Sequence, residues 1–193
     1  MTRLLIATTN RGKQDEFRRL LAELDADLMA PGDVGLDLDV DEPHETYAEN
    51  ATAKADAYAR ASGLVSLADD SGIEIAALEW GPGVRSARWG GGRNAERVLE
   101  SLGDAPDRRA RMVCALAVAV PARPDPHVEV FTGIVEGSVA AGMRGTGGFG
   151  YDPIFELPSG LTTAELAEPE KDRVSHRGRA VAAALPRLRE LLA

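Results

Sequence analysis

The sequence predicts a mixed α/β fold, and three observations lead there. Apolar runs of strand length alternate with segments whose apolar residues recur at three- and four-residue spacing. The chain opens with a strand, a polar turn and a helix, the start of a βα unit. Farther on, β-prone runs at 110–120 and 128–135 flank a short Pro-containing loop and read as a hairpin, so the sheet is mixed rather than purely parallel. The 193 residues, 44% of them hydrophobic, suit one domain over 1–193 with room for two lobes.

Residues 3–7 are the first predicted strand, and in the helix that follows Phe17, Leu20, Leu21 and Leu24 share one face. A second strand is expected at 27–30. Thr46 with Glu49 forms a capping box, opening a helix that runs to about Ser62 and stops at Gly63. Its alanines allow close packing, and Asn50 and Lys54, four apart, lie on one face, a polar stripe that suits the lining of a cleft and equally an exposed surface. A strand from Leu64 to Ala68 is expected to end in a turn at Asp69-Asp70-Ser71-Gly72, with another strand from Ile73 to Leu78. Gly81-Pro82-Gly83 reads as a rigid turn. After Gly90-Gly91-Gly92, Asn94 is the expected cap of a helix carrying Val98, Leu99 and Leu102 and stopped by Gly103. Residues 110–120 are nearly all apolar, the mark of a central strand. Thr162 or Thr163 is expected to cap a short helix. The last helix starts at Ser175-His176-Arg177 with Val181, Leu185, Leu188 and Leu192 as its stripe, and Pro186 should kink it or end it early.

The formal net charge of −9 argues against a nucleic-acid or membrane-surface binder, either of which needs a basic face. It leaves room for a small anionic ligand, because a few local cations reverse the field inside a cleft. The lone Cys114 excludes an internal disulfide and sits in an apolar run as a core residue. The N-terminal apolar run is too short for a signal peptide, and none approaches the roughly 20 residues of a membrane span, so a cytoplasmic location is expected.

Four segments carry chemistry. Thr8-Thr9-Asn10-Arg11-Gly12-Lys13 joins a strand to a helix start, where free N–H groups and the helix dipole favour an anion and Lys13 adds a full charge. An Asn10- or Thr9-capped helix with Lys13 in solvent accounts for it equally well. Asp69 and Asp70 are hard oxygen donors suited to Mg²⁺, and either can take a proton from water. Seven acids crowd 33–49, Glu42 and its neighbour Asp41 among them. Five glycines from Gly142 to Gly150 surround Phe149 and lead into Tyr151 and Asp152, a loop in which backbone can approach a ligand and an aromatic can stack on a base.

Taken in order, T-T-N-R-G-K (8–13), Y-x-E-N-A-x-x-K-A (47–55), A-D-D-S-G (68–72), G-P-G-V-x-S-A-R-W (81–89), G-G-F-G-Y-D-P (147–153) and S-H-R (175–177) resemble the inosine/xanthosine triphosphate pyrophosphatase family, over essentially the whole chain. The resemblance implies an elongated mixed sheet flanked by helices, two lobes with an active-site cleft between them, and a homodimer. It implies Mg²⁺-dependent hydrolysis of the deaminated purine triphosphates ITP, dITP and XTP to monophosphate and pyrophosphate. Carried over by position, Thr8, Thr9, Asn10, Arg11, Gly12 and Lys13 would hold phosphates, with Ser71 and Lys54 supporting that end. Glu42 and Asp70 would bind the metal, Asp41 being the alternative to Glu42 beside Pro43. Asp70, with Asp69 and Lys13, would carry the catalysis. Phe149 would stack on the base, with Gly150, Tyr151 and Asp152 shaping its pocket, and Lys171, His176 and Arg177 would reach the base or the triphosphate. A pyrophosphatase for a modified or pyrimidine triphosphate, or a nucleotide-sensing module without turnover, are the competing readings.

Overall fold

In the computed structural model, which describes residues 2–193, alternation along the first strand already separates two cores. Strand β1 (Thr2–Ile6) sends Leu4 and Ile6 into one apolar cluster and Leu5 into another. The first cluster takes Phe17 and Leu21 from helix α1 (Arg11–Leu20) and its end, and Val181 and Leu188 from helix α5 (His176–Leu192). The second takes Ala51, Ala55 and Ala59 from helix α2 (Tyr47–Ser62). Strand β5 (Arg109–Val120) repeats the division: Cys114, Leu116 and Val118 on one side, Ala115, Ala117 and Ala119 on the other. Alanine meets alanine across the second core, so α2 packs close.

The remaining elements are strands β2 (Ala26–Met29), β3 (Val65–Ile75), β4 (Gly81–Pro82), β6 (His127–Val139) and β7 (Phe155–Glu156), and helices α3 (Asn94–Leu102) and α4 (Glu168–Val174). The sheet order is β2-β1-β3-β5-β6-β7, with β4 paired to β3. β1 runs parallel to β2 and β3, while β4 is antiparallel to β3 and β7 to β6, so the sheet is mixed as predicted.

The chain divides into two compact units. The first holds the chain up to Asp70, Cys114–Thr132 and Ala180 onward, with the two cores above. The second holds Ser71–Val113 and Gly133–Arg179. Its core gathers Ile73 and Ile75, Val98 and Leu102 of α3, Met112, Val135, Tyr151, Ile154 and Phe155.

Helix α2 has the predicted bounds, with Thr46 accepting from the Glu49 N–H at 3.2 Å and Gly63 closing it in the left-handed region at φ 68°. Elsewhere local chemistry misleads. Asp69 to Gly72 form no turn: β3 runs unbroken from Val65 to Ile75. Asn94 does not cap α3; its Oδ1 accepts from the Gly90 N–H and its amide donates to the Ala87 carbonyl, tying down the preceding loop. Thr162 and Thr163 precede no helix, since α4 starts at Glu168 after Ala167. Helix α5 continues through Pro186, because both Pro186 and Ala182, whose carbonyl loses its i+4 partner, lie on the exposed face where water replaces the bond.

Candidate functional site

Two clusters of polar residues stand out, one in each unit. In the first unit, β1 ends at the turn leading into α1, and Asn10 caps that helix by accepting from the Lys13 N–H at 3.1 Å. Thr8 is buried; its Oγ1 accepts from the Asn10 N–H, and its carbonyl accepts from the Gln14 side chain. Thr9, Asn10 and Arg11 are exposed, and Gly12 and Lys13 half-buried. Lys13 does not float in solvent. One turn into α1 its ammonium meets the fully buried Asp69 carboxylate at 3.0 Å.

Strand alternation explains the two acids. Asp69 follows Leu67 onto the α1 and α5 side and finds Lys13; Asp70 follows Ala68 onto the α2 side and finds Asn50. Asn50, 1% exposed, donates to Asp70 Oδ2 at 3.0 Å. Its Oδ1 accepts from the His44 N–H at 3.0 Å, and its amide also reaches the His44 carbonyl at 3.3 Å. One turn on, Lys54 pairs with the Glu42 carboxylate and donates to the Asp69 carbonyl at 3.0 Å. Of the two candidate acids in that segment, Glu42 is half-buried and paired with Lys54, whereas Asp41 is exposed.

Charge in this cluster is balanced closely. Burial pushes the Asp70 carboxyl above its ordinary range; the Asn50 hydrogen bond opposes this, the neighbouring Glu42 charge adds to it, Lys13 and Lys54 pull back, and the net shift is upward. For Lys54 burial works against the charge, but Asp69, Glu42 and Asp70 outweigh it and the net shift is also upward. Two carboxylates that repel across a small space, with an acid already reluctant to ionise, suit a divalent cation. Glu42 and Asp70 fit Mg²⁺ by ligand type, since that ion is commonly held by one or two carboxylates with phosphate oxygens and water completing the shell. Among the described residues no three His, Cys, Asp or Glu side chains form a ready-made cage, so such a site depends on ligands from outside the chain.

In the second unit the glycine loop surrounds a carboxylate. Asp152 is 4% exposed, and its Oδ2 accepts from the Lys171 ammonium and from the Phe149 N–H, both at 2.7 Å. Its Oδ1 accepts from the Thr163 hydroxyl at 2.8 Å. Gly148 has φ +69° and a Cβ there would lie 2.1 Å from Asp152 Oδ2, so no other residue fits. The loop thereby presents Phe149 half-buried, with the Lys171 ammonium 5.3 Å and the Arg177 guanidinium 5.6 Å from its ring centre. Arg177 also donates to the Ser71 hydroxyl at 3.0 Å. Ser175 caps α5 by accepting from the Gly178 N–H, which fixes His176 and Arg177 in the first turn, both buried. Gly150 is exposed with φ +64°. Tyr151 is a core residue, its hydroxyl donating to the Ser86 carbonyl at 2.8 Å, so it anchors the loop from beneath.

The structure thus gathers Thr8 to Lys13, Glu42, Lys54, Asp69 and Asp70 in the first unit, and Ser71, Phe149 to Asp152, Lys171, His176 and Arg177 in the second. Asp70 and Ser71 are consecutive residues of β3. Sequence reasoning placed Asn50 with Lys54 on a face that could line a cleft but gave it no role, and missed Thr163 as a member of these clusters. The spacing of Asn50 and Lys54 was a visible signal; nothing local marks Thr163 as the partner of Asp152.

Comparison with known proteins finds relatives along nearly the whole chain. The profile of the Ham1 family matches residues 4–187. The chain is 46% identical over 198 residues to a dITP/XTP pyrophosphatase of Symbiobacterium thermophilum, covering 98% of this chain and 96% of that one. It is 43% identical to a dITP/XTP pyrophosphatase of Nitrosomonas europaea over 98% of this chain and 96% of the relative. Among solved structures, a HAM1 protein from Coxiella burnetii superposes with a TM-score of 0.86 at 38% identity, covering 98% of this chain and all of that one. A family profile spanning nearly the whole chain, and relatives this similar at full length, show that the chain belongs to the Ham1 family.

Proposed function

We infer that the protein hydrolyses deaminated purine nucleoside triphosphates (dITP, ITP and XTP) to the monophosphate and pyrophosphate. The observation that carries this reading is the first-unit cluster: an acid pair on one strand, each acid held by a different helix, with Lys13 and Lys54 beside it. Relatives named dITP/XTP pyrophosphatase align across that cluster and the rest of the chain.

A triphosphate repels an attacking water because both are rich in negative charge or lone pairs. Lys13, Lys54 and the N–H groups opening α1 offset that charge by position. Asp70, buried beside Lys13 and Lys54 at the proposed phosphate end, is the group we assign to accept the proton of water. Asp69, paired with Lys13, orients that lysine. Mg²⁺ held by Glu42 and Asp70 would supply Lewis-acid neutralisation of the phosphate oxygens. In the second unit, Phe149 offers a stacking face for a base. Arg177 and His176 bring donors suited to the 6-oxo group of hypoxanthine or xanthine, where adenine's amino group would leave donor facing donor. A homodimer in the cytoplasm completes the proposal, on the strength of the resemblance; light scattering of the purified protein reads the oligomeric state.

The test is a panel of dITP, XTP, dATP, GTP and a modified pyrimidine triphosphate, with pyrophosphate release measured with and without Mg²⁺. The reading expects Mg²⁺-dependent turnover of dITP and XTP at least about a hundredfold above dATP, the upper scale of one buried polar group left unsatisfied. Equal rates on dITP and dATP would remove the selectivity, and binding without turnover would make the protein a sensor.

A further inference from the structure

We propose that Asn50 is the positioning residue that sets the divalent-cation site, by tying the Asp70 carboxylate to the His44 backbone two residues past Glu42 before any cation arrives. The proposal rests on the functional reading above and adds to it a residue outside the groups that touch substrate.

Three hydrogen bonds converge on this one amide. Oδ1 accepts from the His44 N–H at 3.0 Å, and Nδ2 donates to the His44 carbonyl at 3.3 Å and to Asp70 Oδ2 at 3.0 Å. The His44 N–H requires an acceptor, so Oδ1 faces the backbone and Nδ2 faces the carboxylate; the amide cannot flip without losing bonds on both sides. His44 is two residues past Glu42, so the same side chain holds both the segment carrying one proposed ligand and the carboxylate of the other. Asn50 sits on α2 at 1% exposure, beneath Lys54, which is paired to Glu42. Asn50 is the side chain that joins the Asp70 carboxylate to the backbone of the segment carrying Glu42. A planar group with one acceptor and two donors meets all three demands. Serine, leucine or alanine does not. Outer partners that orient metal-binding carboxylates typically contribute 10- to 100-fold in metal affinity or activity.

The experiment compares the parental chain with Asn50→Ala and Asn50→Gln. Alanine suits the alanine-rich helix, so circular dichroism should show both variants folded. Two quantities are read: the Mg²⁺ concentration for half-maximal dITP turnover, and Mn²⁺ binding by electron paramagnetic resonance with pyrophosphate present and no nucleotide. The proposal predicts that Asn50→Ala raises both midpoints at least tenfold. It predicts that Asn50→Gln, which keeps the amide, recovers part of the Mn²⁺ affinity. The preference for dITP over dATP stays at the parental ratio, because the base end is untouched. A folded Asn50→Ala whose Mn²⁺ midpoint lies within twofold of parental overturns the proposal, as does a parental chain that binds no Mn²⁺. If Asn50→Ala does not fold, Asn50→Gln decides: a Mn²⁺ midpoint unchanged after the amide is displaced by a methylene overturns it, and a rise supports it. A parental chain that binds Mn²⁺ but releases no pyrophosphate from dITP contradicts the assigned function instead, and leaves the Mn²⁺ comparison to judge Asn50.

Discussion

At the scale of single residues, Asp70 concentrates the tension in the first-unit cluster. It is 6% exposed and faces another carboxylate, and its pKa is raised above the ordinary value. A folded-state pKa above the unfolded one means that ionisation costs stability: the contribution is intact below the ordinary aspartate range and lost as pH rises through the higher folded value. Asp70→Asn removes that cost and keeps an oxygen to accept from Asn50. In chelator, the variant should melt above the parental chain at pH 7–8. The gap should close as pH falls below 4. The same substitution should lower kcat for dITP by about a thousandfold or more, since the proton acceptor is gone. A variant that is both less stable at pH 8 and fully active would reassign the acid. Tyr151 gives an independent reading of the second unit. Burial pushes its phenol up to about 12. Ultraviolet titration should therefore show a tyrosine ionising near pH 12, a step that Tyr151→Phe removes, with stability falling between about pH 10 and 12 as the unfolded chain releases its proton first. Three tyrosines titrating together near 10 would contradict the buried placement.

At the scale of elements, legibility followed the distance over which a signal acts. Helix α2 was readable end to end because Thr46 and Gly63 do their work within four residues. The central strand β5 was readable because its burial needs only apolar side chains. Asp69 to Gly72 were misread as a turn because their composition says turn, while what holds them extended are Lys13, Asn50, Lys54 and Arg177, all at least fifteen residues away. Thr162 and Glu165 do make the local contacts of a helix start, yet no helix begins there, because the Thr163 and Ala164 N–H groups donate to the Phe155 and Asp152 carbonyls. The glycine loop is the element whose shape is most exposed to a single change. Gly148→Ala meets both a left-handed backbone and the Asp152 carboxylate. Strain of about 1–3 kcal/mol at such a position should raise KM for dITP about tenfold or more while thermal stability falls only modestly. Steady-state kinetics and a melting curve on the same preparation separate the two, and an unchanged KM would show that the loop does not present Phe149 to the base.

At the scale of the whole molecule, a chain of net charge −9 places Lys13 and Lys54 among the carboxylates of one unit, and Lys171 and Arg177 around the ring of the other. Among the described residues no helix is long and apolar enough to cross a membrane. Fold class and family were legible because six motifs fall in order along nearly the entire chain, and the match over residues 4–187 agrees. The bracing amide was not, because its partners lie six and twenty residues away. The central claim, cleavage between the α and β phosphates, is tested most directly by ³¹P NMR of dITP turned over with Mg²⁺. The account predicts dIMP and pyrophosphate as the first products, with Asp70→Asn leaving the dITP resonances unchanged over the same interval. Accumulation of dIDP and orthophosphate as the first products would contradict it.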